Sequence, residues 1–136
     1  IKINNIFSYL KRVDSYVKLE DSNFIQPEYI NFINNSKKFV SKNNCIQLFT
    51  NDVGLLYLLR AKSCTKYYFV WSVGSKDNQI KMIKELQNAN LIISNGKADN
   101  WELPLKDKLY LVNQYIQENY TEIANINGFK LLERNY

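Results

Sequence analysis

The 136 residues include no histidine, two cysteines, two prolines, four glycines and a single methionine. Each shortage removes something. Without histidine the commonest general base is missing, and neither a Ser-His-Asp nor a Cys-His arrangement can form within the chain. Two cysteines, Cys45 and Cys64, are too few for a disulfide framework, and with no histidine to complete a set they do not read as a metal site. No metal and no cofactor are expected. No run reaches the roughly 18 uninterrupted apolar residues of a membrane-spanning helix, and no charged leader precedes an apolar stretch. The few glycines match neither G-x-G-x-x-G nor G-x-x-x-x-G-K-[ST], so no phosphate loop of either kind is present.

What is present is a lysine-rich chain with a net charge of +5. The lysines are dispersed, with Lys37-Lys38 and the stretch from Lys81 to Lys84 the densest groups. Nucleic-acid binding asks for a concentrated basic stripe, so no nucleic-acid partner is expected, and the charge is consistent at most with a mild preference for an anionic membrane surface. The length suits one domain, which buries roughly two-thirds of its unfolded surface. The chain begins at Ile1 and its only methionine is Met82, so it reads as a piece of a longer protein.

Ile3, Ile6, Phe7, Leu10, Val13 and Val17 recur at helical spacing and predict an amphipathic helix. Pro27 suits the first turn of a second, on which Tyr29, Phe32, Ile33, Phe39 and Val40 form the inward face. From Cys45 the pattern becomes short apolar runs separated by helical ones, the mark of β–α–β units. The expected strands are Cys45 to Thr50, Tyr67 to Val73 and Leu91 to Ser94. Between them lie a short leucine-rich helix from Val53 to Ala61 and a helix from Lys76 to about Asn88, N-capped by Ser75. Leu105, Leu109, Val112 and Ile116 step by four, three and four and predict a helix ending near Tyr120. Asn127-Gly128, both tolerant of positive φ, predicts a hairpin joining Thr121 to Ile126 with Phe129 to Arg134.

These elements describe a single α/β domain over residues 1–136, with a helical lead-in over 1–44 and a βαβαβ-α-hairpin order over 45–136. The expected architecture is a three-layer sandwich. A parallel sheet of about three strands is extended by the C-terminal antiparallel hairpin, with two N-terminal helices added.

In open α/β sheets ligands settle at the carboxyl ends of the strands. Three loops leave the predicted strands there: one carrying Thr50, Asn51, Asp52 and Gly54, one carrying Ser72, Gly74 and Ser75, and one carrying Asn95 and Gly96. Their glycines and small polar groups suit backbone N–H contacts to an anion. The same residues also serve ordinary strand-to-helix turns. Cys45 and Cys64 fall at one edge of the predicted sheet. A disulfide between them and two independent buried thiols are both open readings, and the former needs an oxidising compartment.

The run Cys45-Ile-Gln-Leu-Phe-Thr-Asn-Asp-Val-Gly-Leu-Leu-Tyr-Leu-Leu, followed by Ser63-Cys64-Thr65-Lys66-Tyr67-Tyr68, resembles the soluble tail of membrane-embedded glycosyltransferases. The group meant is the dolichyl-phosphate-mannose-protein mannosyltransferase-like family and its bacterial relatives. Asn78-Gln79, Ile83-Lys-Glu-Leu86, Leu91-Ile-Ile-Ser94, Tyr115-Ile-Gln-Glu-Asn-Tyr120 and Gly128-Phe129 continue the likeness, which covers about residues 28 to 136. It implies a non-catalytic domain outside the cytoplasm, periplasmic or lumenal, whose first partner is the transmembrane region of its own parent chain. That region would take sugar from a polyprenyl-phosphate carrier, and no catalytic residue of the family maps onto this sequence. Acceptor recognition, or support of the membrane part, is then the expected role. A free-standing nucleotide or small-anion binding domain and a protein-interaction module are the alternatives.

Overall fold

A computed structural model of the chain describes residues 3–20, 23–95 and 104–136. The chain divides into two compact units, residues 1–31 and residues 32–136. The first unit is built on helix α1 (Ile3–Val17), ended by a turn in which the Leu19 N–H donates to the Tyr16 carbonyl. Tyr16 and Phe24 meet with ring centroids 6.4 Å apart. Helix α2 (Pro27–Val40) starts in this unit, with proline at its first helical position, where the missing N–H costs nothing.

The second unit is a mixed α/β structure around a four-stranded sheet. Its strands are β1 (Gln47–Phe49), β2 (Leu91–Ser94), β3 (Tyr120–Ile126) and β4 (Phe129–Arg134), in the order β1-β2-β4-β3. β1 and β2 pair in parallel, Gln47 opposite Ile92 and Phe49 opposite Ser94. The other two pairings are antiparallel. β3 and β4 form the expected hairpin, with Asn127 at φ 52° and Gly128 at φ 84°, as a two-residue turn with matching twist requires. A register shift between Glu122 and Ala124 bulges β3, the outer strand of the hairpin.

One face of the sheet carries the main core. Helices α4 (Lys76–Leu86) and α6 (Tyr110–Asn119) supply Met82, Leu86, Val112 and Ile116, which gather with Phe49, Ile92 and Leu109. Elsewhere in the same unit Phe32 of α2 packs its ring 4.6 Å from that of Phe129, and both residues are buried.

Three sequence expectations need correction. The parallel sheet holds two strands, because Tyr67 to Val73 is not a strand. Val70–Val73 is a turn of 3₁₀ helix, and Val70 and Val73, both buried, stand three apart, the 3₁₀ repeat. A continuous apolar run does not by itself distinguish a strand from this. The edge of β1 is met earlier, at Ser63, which forms a single parallel bridge to Ile46 through Ile46 N–H to Lys62 O and Cys64 N–H to Ile46 O.

The second correction concerns the helix from Leu105, which is broken at Leu109 into α5 (Leu105–Lys108) and α6. Leu109 adopts φ −128° and ψ 61°, outside the helical region. The third is the leucine-rich helix, which shrinks to α3 (Gly54–Leu58). Arg60 follows at φ 52°, and only Leu55 and Leu59 of the four leucines are buried.

Gln47 explains why a bridge suffices where a strand was expected. Its side chain is fully buried, and its Nε2 donates to the Tyr67 carbonyl at 3.0 Å. Its Oε1 accepts from Thr65 Oγ1 at 2.8 Å and lies 3.4 Å from Ser63 Oγ. Thr65 Oγ1 in turn accepts the Tyr67 N–H at 3.0 Å. The segment alongside β1 is therefore held by one amide side chain in place of a backbone ladder, which satisfies the polar groups that burial would otherwise penalise. A disulfide between Cys45 and Cys64, with Cα atoms 5.0 Å apart, pins the same place covalently. Lys66 closes the segment onto α4 through Glu85, 3.4 Å away. The hydrogen bond to Glu85 raises the lysine above its ordinary pKa.

Candidate functional site

Parallel pairing of Phe49 with Ser94 brings the carboxyl ends of β1 and β2, and so the Thr50 and Asn95 loops, to one end of the sheet. Several of the polar side chains named from the sequence bond within the chain. Thr50 is buried, its Oγ1 donates to the Asp52 carboxylate at 3.1 Å, and it accepts the Asp52 N–H at 3.3 Å. The Asn51 carbonyl accepts the Val53 N–H, and Gly54 opens α3, a helix too short to present an anion site. Ser72 Oγ donates to the Phe69 carbonyl at 2.9 Å. Ser75 Oγ accepts the Asn78 N–H at 3.3 Å and so caps α4, as its sequence position suggests. The Gly74 carbonyl accepts from Gln79. Asn95 directly follows β2, and Gly96 lies outside the described residues. The side-chain hydroxyls of Thr50, Ser72 and Ser75 therefore bond within their own turns.

A cavity lies beside β2, on the sheet face that carries α6. It has a volume of about 450 Å³, within the range of small-molecule sites. Ile92 and Ser94 of β2, Leu132 of β4, and Ile116 and Tyr120 on either side of the α6 terminus line it. Asn113 and Gln117, one helical turn apart on α6, border it with Leu105 and Lys106 of α5. Glu122 and Lys130 face each other across the hairpin at 3.1 Å. Ser94, the last residue of the strand expected over Leu91 to Ser94, adjoins the Asn95 loop, but none of the candidate site residues named from the sequence lines the cleft. The lining residues were missed because α6 was read for its buried stripe, and nothing in a linear pattern says that Asn113 and Gln117 border a hollow.

Tyr120 shows how the cleft wall is fixed. Its hydroxyl donates to two carbonyls where α4 ends, 2.6 Å to Ala89 and 3.0 Å to Leu86, the second of which also accepts the Ala89 N–H. Burial pushes its pKa up to about 12, with the neighbouring Tyr115 adding to the shift. The phenol is a neutral donor in the physiological range. It is a structural anchor and not an acid–base group.

No family model, curated protein or solved structure matches this chain. The function therefore has to be argued from the residues. No group of three or more His, Cys, Asp or Glu side chains able to hold a metal occurs among the described residues, and no helix there is long and apolar enough to cross a membrane.

Proposed function

We propose that this chain is a non-catalytic, extracytoplasmic accessory domain of a multi-spanning glycosyltransferase-like membrane protein, where it assists acceptor recognition or supports the membrane part. The observation that carries the compartment is the Cys45–Cys64 disulfide. Disulfides persist in oxidising compartments and are rare where glutathione keeps thiols reduced. The family assignment rests on the resemblance of residues 28 to 136 alone. The absence of histidine from the sequence fits a domain whose chemistry, if any, is done elsewhere in its parent. A three-layer arrangement, with α2 and the α4/α6 pair on opposite faces of the sheet, belongs to the same reading. Phe32 on Phe129, and the separate cluster of Met82, Leu86 and Val112, support it.

The test is the thiol state of the native protein. Cells would be quenched in acid, and the chain labelled with a thiol-reactive mass tag before and after reduction. Two tags gained only after reduction are expected. Two thiols that react without reduction would sink the extracytoplasmic assignment. A small-anion binding domain is the second reading, favoured by Lys106 at the cleft.

A further inference from the structure

We infer that the cleft between α6 and the sheet is a binding site for a singly charged acidic sugar, with its anionic group on Lys106 and its hydroxyls on Asn113 and Gln117. The inference deepens the acceptor-recognition half of the proposed function, and its chemistry comes from the lining alone. Asn113 is half-buried and Gln117 lies exposed at the rim, and neither side-chain amide hydrogen-bonds to another group among the described residues. A half-buried amide that faces a cavity without a partner is costly unless a ligand or water completes it. Each amide offers both a donor and an acceptor, as each sugar hydroxyl does, and their spacing of four residues sets them side by side along the helix.

The apolar lining of Ile92, Ile116 and Leu132 matches the C–H face of a sugar ring. The charges select among sugars. Lys130 is neutralised by Glu122 at 3.1 Å, whereas Lys106 meets no carboxylate among the described residues. One cation with no carboxylate partner among the described residues fits one negative charge, as on a uronate, better than the several charges of a nucleoside diphosphate.

Amide-resolved NMR titration of the folded domain with D-glucuronate, D-glucose and inorganic phosphate tests this. Glucuronate should move the side-chain amide signals of Asn113 and Gln117 and the backbone signal of Ser94 saturably. Glucose should bind the same place about tenfold more weakly, the loss expected for one charge-assisted hydrogen bond. Lys106→Gln should bring the ratio of glucuronate to glucose affinity down to about one. Asn113→Leu should weaken both sugars, and the dispersion of each variant's spectrum reports whether it is folded.

Phosphate binding as tightly as glucuronate would overturn the sugar assignment. Signals that fail to move in the cleft, or move equally in wild type and both variants, would overturn the site. Neither result bears on the thiol test, so the compartment reading stands or falls separately.

Discussion

Gln79 Oε1 accepts the backbone N–H of Leu111 at 3.0 Å, from a side chain 1% exposed. The break at Leu109 leaves the first N–H groups of α6 without intrahelical partners, and α6 has no side-chain cap of its own. Helix α4 thus caps its neighbour, and the Nε2 of the same residue reaches the Gly74 carbonyl at 3.3 Å. The cleft residues Asn113 and Gln117 hang from the helix that this amide holds in place.

Gln79→Met keeps the volume and deletes both hydrogen bonds. It should cost about 1–3 kcal/mol, because the Leu111 N–H is left unsatisfied in a largely buried setting. Urea denaturation reads the loss. Hydrogen exchange at Leu111 should accelerate more than at core amides such as that of Ile92, and equal acceleration everywhere would count against the capping role.

Tyr120→Phe should destabilise the fold by about 1–2 kcal/mol near neutral pH by removing the bond to Ala89 and Leu86. The folded pKa of about 12 lies above the ordinary tyrosine value of 10.0. The folded state therefore holds its proton more tightly, and the contribution is complete below pH 10 and fades as pH rises through 12. The gap in stability between wild type and Tyr120→Phe should narrow across that window. A constant gap would mean that the hydroxyl is not the source.

Reduction of Cys45–Cys64 opens a loop spanning 19 residues, and the chain-entropy argument puts the loss at about 3 kcal/mol. The double variant Cys45→Ser, Cys64→Ser should show a comparable drop in Tm and no response to reductant. Gln47 and its partners at Thr65 and Tyr67 remain, so the variant should fold. Adding Gln47→Leu to it should lower Tm further and loosen residues 62 to 67 first, which limited proteolysis would reveal.

Two glycines separate conformation from space. An added Cβ at either Gly128 or Gly54 meets nothing within 4 Å, but Gly128 sits at φ 84°. Gly128→Ala should therefore cost about 1–2 kcal/mol through backbone strain alone. Gly54→Ala, in the first turn of α3, should stabilise by about 0.4–1 kcal/mol by reducing the freedom of the unfolded chain. Thermal melts of the two variants should move in opposite directions.

Where local physics decides the conformation, the residues could be read in order. Pro27 opens α2, Ser75 caps α4, Leu91 to Ser94 is a strand, and Asn127-Gly128 turns the hairpin. Each follows from backbone preference, one cap or a periodicity within a few residues. The segment from Tyr67 to Val73, the break at Leu109 and the cleft were different. Their conformations depend on partners far along the chain: Gln47 for the Tyr67 carbonyl, Gln79 for the Leu111 N–H, and Ala89 for the Tyr120 hydroxyl. A buried polar group must find its partner wherever the fold supplies one, and sequence spacing carries no record of that distance.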